Sequence, residues 1–325
     1  MTAAPDVAVH WELGSDRPRE DHGFFGPDSP TWKVWTSPTA LIGFQRSVVL
    51  EHFEPHLAAA VADAAGIYRD PRGRMDGTLA YFLIVATADS RTAVEASEHL
   101  QKVHARSKGI DPVTGTRYSA NDPASQLWIH VTGWHSVLKC YEVFGPGPLS
   151  RAEEDRYWSE CVIAAELQTV NPAEVPRSRD EVRQYFARMR PALCTSERAQ
   201  RAMHYLLRTP RSGSSNMQFW AISRLLAPAT IATLPRWMRE LGQFDQPGIV
   251  DAAYRPLVSA GMRIAGIPAV ETTILRRSLP MTRTALRDFH KAKAPLRPVT
   301  VTPAEAKERY GRRATAQGGA YADYL

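Results

Sequence analysis

Four of the chain's ten histidines fall within one stretch, "HLQKVHARSKGIDPVTGTRYSANDPASQLWIHVTGWH", as His99, His104, His130 and His135. They make two pairs of equal five-residue spacing, one on each side of a polar loop. On a helix turning roughly 100° per residue, five positions carry a side chain about 140° around the axis, so neither pair can aim at one centre. A zinc-protease helix needs His-Glu-x-x-His, which is absent. A ferritin-like di-iron bundle needs Glu-x-x-His on two helices; Glu95 and Glu98 lie near His99, but neither stands three residues before a histidine. No Gly-x-Ser-x-Gly elbow, P-loop or Gly-x-Gly-x-x-Gly occurs, which removes the nucleophile-elbow hydrolases and the common nucleotide folds. What remains is a single imidazole offered from an apolar helix face, as a haem requires, with apolar walls and a few cations for the propionates. His104 suits that role, because Leu100 one turn earlier and Val103 beside it can supply part of a wall. On periodicity alone, any one of the four is more readily a satisfied surface or core residue than a ligand.

The elements that would position these residues are helices. Ser37-Pro38 opens "TALIGFQRSVVLEHF", Pro55 starts the next helix, and "RDPRGR" reads as a turn before "MDGTLAYFLIVATA". Asp89 caps an amphipathic stretch that is expected to reach Gly109. After a turn-rich loop, Asp122-Pro123 starts a helix that "GPGP" ends. Ser150 and Glu153 form a capping box, Ser178 caps "RDEVRQYFARM", and Thr195 or Ser196 caps "ERAQRAMHYLL". Helical pattern continues over 213–227, 230–242, 247–265 and 270–292. The fold class is therefore all-α, a single large helical bundle of ten or more helices. Three segments are expected: an N-terminal extension (1–22), the helical domain (23–293) and a polar, frayed C-terminal tail (294–325).

Composition narrows the setting. The chain has 325 residues, 44% hydrophobic and 23% charged, with no apolar run of the roughly 18 residues a membrane-spanning helix needs. The first twenty residues carry no basic-then-apolar leader, so a cytoplasmic location is expected. Cys140, Cys161 and Cys194 stand without a CxxC and read as reduced, buried thiols. The net charge of +6 is concentrated beyond Val270, where eleven Lys/Arg face five Asp/Glu. Lacking aromatic interleaving, this patch is not expected to bind nucleic acid; peripheral membrane contact through the basic C-terminal region stays open.

Several blocks, taken in order, resemble the mpaB and rubber-oxygenase (latex clearing protein) family from about Gly23 to His290. The opening block is "GFFGPDSPTWKVWTSPTALIGFQRSVVLEHFEPHLAAAVADA". "DPRGRMDGT" matches the family's Arg-x-x-x-Thr signature at Arg74 and Thr78. "VHARSKGIDPVTGTRYSANDPASQLWIHVT" matches its most characteristic block, with a Tyr-x-Ala-x-Asp-Pro and a Trp-x-His. "YEVFGPGPLSRAEEDRYWSE" and "ATLPRWMRELG" extend the likeness downstream.

The resemblance implies a haem b-dependent oxygenase that uses dioxygen on a small, largely apolar substrate, isoprenoid or lipid-like. His104 falls at the position of the proximal iron ligand. Arg74 and Thr78, one helical turn apart, match residues lining the haem pocket, and His130 matches the Trp-x-His histidine, either near the distal side or as a brace. Tyr118, Asp122 and Pro123 read as loop and helix cap, His99 and His135 as scaffold. The chain departs from the family in two places. The rubber enzymes carry a lysine before the signature threonine, where this chain has Gly77, so the distal face is expected to be open. No carboxylate convincingly matches the family's catalytic glutamate; Glu54 and Asp63 lie in the right region at the wrong spacing, and polyisoprene cleavage is not carried over. The alternative is a non-catalytic protein binding haem or a hydrophobic ligand in the same pocket.

Overall fold

Short polar side chains and prolines start most of the helices, because the first N–H groups of a helix need an acceptor and proline has no N–H to leave unsatisfied. In the computed structural model, which describes residues 17–64, 66–211, 217–290 and 294–311, Ser29, Asp70, Asp89, Asp122, Ser150, Ser178, Ser196 and Thr302 each accept from the first turn of the helix they precede. The elements in order are α1 (Pro30–Trp35), α2 (Ala40–Glu51), α3 (Pro55–Ala64), α4 (Gly66–Arg69), α5 (Pro71–Thr87), α6 (Ser90–His104), β1 (Lys108–Ile110), β2 (Arg117–Ser119), α7 (Pro123–Phe144) and α8 (Arg151–Ala165). There follow α9 (Arg179–Met189), α10 (Glu197–Leu207), α11 (Met217–Thr233), α12 (Arg236–Leu241), α13 (Gly248–Ala265), α14 (Pro268–Ser278), α15 (Pro280–His290) and α16 (Pro303–Tyr310). The expected all-α class holds. The one sheet among the described residues is a short antiparallel hairpin pairing Gly109 with Tyr118.

The centre of the molecule is the packing of α2 along α7, with α1 and α8 against α7, α10 and α11 against α2, and Phe82 of α5 reaching Phe44 of α2 at 6.4 Å. Aromatic rings fill the space between them: Trp35 stacks on Phe82 at 5.4 Å and meets Trp134 edge-on at 5.7 Å, and Trp134 lies 5.0 Å from Tyr157. Trp128 donates its indole N–H to the Leu50 carbonyl (3.1 Å), tying α7 to the end of α2. The two central helices approach closely at Gly43, where a Cβ would lie 2.6 Å from the Val137 Cα of α7. A backbone atom cannot swing aside as a side chain can. Gly43→Ala is therefore expected to destabilise the fold by on the order of 2 kcal/mol, read as a lowered urea midpoint with an unchanged slope.

A buried cation sits on the same interface. Arg46 of α2 donates to Ser136 Oγ (2.6 Å) and the Thr233 carbonyl (3.3 Å) and lies 3.3 Å from His135 Nδ1. Burial lowers its pKa to about 10, a guanidinium held by dipoles rather than by a carboxylate.

Several sequence expectations are corrected. Thr39, not Ser37-Pro38, precedes α2, and it makes no side-chain cap bond. α5 already begins within "RDPRGR": Arg69 ends α4, Asp70 accepts from Gly73 N (2.8 Å) as N-cap and Pro71 takes the first helical position. α6 stops at His104 rather than Gly109, because residues 108–110 pair with β2. α11 runs through Pro228 instead of breaking there, with Leu226, Ala229 and Ile231 continuing its buried stripe. The 270–292 pattern is split by Leu279-Pro280 into α14 and α15.

The described part of the expected tail is not frayed. Residues 296–301 run beside 19–23 through four main-chain hydrogen bonds, including Val301 N to Gly23 O at 3.0 Å. Thr302 and Glu305 form a capping box for α16, which lies on α6. Residues 1–16 and 312–325, the remainder of the expected extension and tail, lie outside the described residues.

Candidate active site

Arg74 and Thr78 stand one turn apart on α5, whereas Asp76 between them points about 160° away. Asp76 accepts from Met281 N and Thr282 N (both 2.8 Å), so it caps α15 and fixes α5 against it. Arg74 and Thr78 are thereby turned to the other side. Thr78 Oγ1 donates to the Arg74 carbonyl at 2.8 Å. Both side chains are accessible to solvent, yet desolvation still lowers the Arg74 pKa. A group that is reachable and at the same time surrounded by protein lines a hollow rather than an outer surface.

Two other helix ends, bringing three titratable residues, converge on Arg74. Glu51 is the last residue of α2 and His52 its C-cap; His104 is the last residue of α6. The Arg74 charge acts on all three. Burial pushes the Glu51 carboxyl up to about 7, with Arg74 opposing and Glu54 adding to the rise. Burial lowers His104 to about 4, assisted by Arg74 and opposed by a side-chain hydrogen bond with Asn121. The imidazole is therefore neutral near pH 7, the form that a metal accepts. Its Nδ1 lies 3.4 Å from Gln126 Nε2 on the first turn of α7, and that amide also donates to the Ala120 carbonyl (2.5 Å). His52 is likewise lowered to about 4, by burial first, and its Nδ1 donates to the Val48 carbonyl (2.7 Å).

The structure brings together Arg74, Thr78 and His104, three of the four residues singled out from sequence. His130 is engaged elsewhere. It is completely buried on α7, its Nε2 donates to the Cys161 carbonyl of α8 (2.8 Å), and its ring packs 5.8 Å from Trp134. Those contacts brace α7 against α8. His135 lies against Arg46 and, at 5.1 Å, the Phe186 ring, while His99 is exposed on α6. Asp63 receives the Tyr118 hydroxyl (2.7 Å) and Arg198 (2.9 Å), and Glu54 caps α3 through Leu57 N (2.8 Å). The carboxylate beside Arg74 is Glu51, which the sequence reading passed over. The available signal was a lone acid closing the apolar run "VVLEHF" of a buried helix.

Among the described residues no group of three or more His, Cys, Asp or Glu is arranged to hold a metal ion by itself, and no helix is long and apolar enough to cross a membrane. Comparison with curated proteins and with solved structures gives no match. A family model does match: the catalytic domain of the ER-bound oxygenase mpaB/B'/rubber oxygenase family, over residues 32–266. The activity that goes with this domain is oxidative, an oxygenase's, which displaces the reading of a non-catalytic binding protein. With most of its length matched, the chain belongs to the mpaB/rubber-oxygenase family of oxygenases.

Proposed function

We propose that this oxygenase holds haem b with His104 as proximal iron ligand, and that it oxidises a small, largely apolar substrate of isoprenoid or lipid-like class with dioxygen. The observation that carries the reading is the neutral His104 imidazole, seated at a helix end beside Arg74 in the hollow. The residues fit the group: one neutral nitrogen ligand and one cation for a carboxylate. When bound, the haem would supply the dioxygen chemistry. Arg74 would hold an anionic oxygen, such as a propionate, by a charge-assisted hydrogen bond. Thr78 has its proton committed to the Arg74 carbonyl, so toward the hollow its hydroxyl oxygen can accept. Gly77 carries no side chain at the place where the resemblance puts a lysine, so this position would offer the group no further ligand.

Glu51 has the character of a proton-exchanging group. A carboxyl of pKa near 7 changes protonation at working pH, where a general base is most effective. The pH profile of kcat/KM is expected to show an ionisation near 7 that disappears in Glu51→Gln while bound haem is retained. A profile unchanged by that substitution would remove Glu51 from the chemistry.

The direct test is the visible spectrum of the purified, haem-reconstituted protein, with pyridine extraction against protein concentration. A Soret band and about one haem per chain are expected for a single-ligand site. A protein that stays colourless after haem addition contradicts the proposal.

A further inference from the structure

α13 is the least buried long helix of the fold. Of its 18 residues only Val258 is fully buried, although the helix is rich in aliphatic side chains. Ile249, Leu257 and Ile264 are 78%, 59% and 57% exposed, and Ile267, just beyond the helix end, is 50% exposed. Exposed Ala253 and Ala260 fill the positions between them. At roughly 100° per residue, positions 249, 253, 257, 260 and 264 share an arc of about 80°, so they form one continuous apolar stripe. Exposed apolar area of this extent marks an interaction surface rather than ordinary surface variation.

The charges beside the stripe have one sign. Arg255 and Arg263, two turns apart, lie to one side of it, and Arg276 and Arg277 end α14; all four are exposed. α11, which packs against α13, adds the 53% exposed Leu225. Between 248 and 278 there are two acids, neither of them among the exposed residues. Asp251 is engaged by Arg239 at 2.8 Å, and Glu271 is half-buried.

We infer that α13 and the turn into α14 form a docking face for an anionic lipid surface, with the Ile249–Ile267 stripe entering the headgroup boundary and the flanking arginines meeting lipid phosphates and carboxylates. An in-plane helix of this composition, with aliphatic residues on one face and arginines beside them, binds membranes by apolar burial together with attraction to anionic lipid. A second copy of the chain is the poorer occupant. Self-association through this stripe would gather the arginines of both copies around one contact, and the face offers no exposed carboxylate to receive them.

The position of the face adds a reason for it. Ala265 and Ile274, at its inner edge, line a narrow apolar slot with Pro38, Leu41, Leu79 and Leu83. Leu79 and Leu83 belong to α5, the helix that carries Arg74 and Thr78. The docking itself is independent of whether haem is bound.

The test is co-sedimentation of the full chain with phosphatidylcholine vesicles, with and without phosphatidylserine, for the parent, Leu257→Glu/Ile264→Glu and Arg255→Ser/Arg263→Ser. The substituted side chains are exposed, so all three proteins are expected to unfold at similar temperatures. Binding is expected to serine-containing vesicles, weakened about tenfold or more by the glutamate pair and reduced by the serine pair, with added salt weakening it further. Absence of binding to the anionic vesicles overturns the inference, as does binding that the glutamate pair leaves unchanged. A concentration-dependent dimer in light scattering that Leu257→Glu/Ile264→Glu abolishes would assign the face to a second copy instead, and would equally overturn it.

Discussion

His104→Ala is expected to lower the haem retained after desalting by more than about tenfold, while the far-ultraviolet spectrum and thermal midpoint change little. The side chain lies at the last residue of α6, half-buried, so truncation there removes little packed apolar area. Its neighbours are the amides of Gln126 and Asn121. Each keeps a main-chain partner without the imidazole: Gln126 donates to the Ala120 carbonyl, and Asn121 donates to the Gln101 carbonyl at 2.9 Å. The fold therefore does not depend on the ring, and a selective loss of cofactor is diagnostic. Addition of free imidazole is expected to restore part of the binding, because the vacated space lies next to the hollow. Full haem retention in His104→Ala would refute ligation by this residue.

A second large effect concerns acid. His52, His104 and His130 have folded-state pKa values near 4, and His135 lies well below the ordinary value, each primarily through burial. In the unfolded chain these rings titrate near 6.5. Between about pH 6.5 and pH 4 the unfolded state binds protons that the folded state refuses, so stability present above pH 6.5 is lost as the pH falls. Glu51 has the opposite sign. Its folded pKa near 7 exceeds the ordinary 4.5, so the folded state gains relative stability as the pH falls through that window. Burial raises Glu54 and Asp76 as well, so four histidines stand against three carboxyls and still leave a net uptake of protons on unfolding. The urea midpoint is expected to drop steeply from pH 7 to pH 5, by an amount on the order of several kcal/mol in unfolding free energy. Replacing His135 with a neutral aromatic residue should flatten that slope. A midpoint independent of pH over this range would show that the rings are protonated in the folded protein.

The all-α class and most helix starts were legible because they depend on local chemistry: Asp122-Pro123, the Ser150 capping box and Ser178 each act within one turn of the chain. The Arg74 and Thr78 pair was legible for the same reason, as i and i+4 on one helix. What sequence could not display is which helix ends meet. Glu51 becomes a site residue only because the C-terminus of α2 reaches the first turn of α5. His130 acquires its bracing role only because α8 brings the Cys161 carbonyl to it. The polar composition after Pro295 suggested a loose tail, yet main-chain pairing with residues 19–23 is indifferent to side-chain polarity and leaves no such signal.

That clasp bears on when the protein matures. Asp21 accepts from Ser90 N at 2.9 Å and Ser90 Oγ at 2.6 Å, anchoring the start of α6, and α16 lies along the same helix, with Lys307 donating to the Glu166 carbonyl nearby. The helix ending in His104 is thus held partly by segments made about 190 residues after it. At roughly 5 to 20 residues per second, ten to forty seconds of synthesis separate the histidine from its last supports. A ligand held at that residue would therefore find its full support only once residues 296–311 have been made and have closed over residues 19–23.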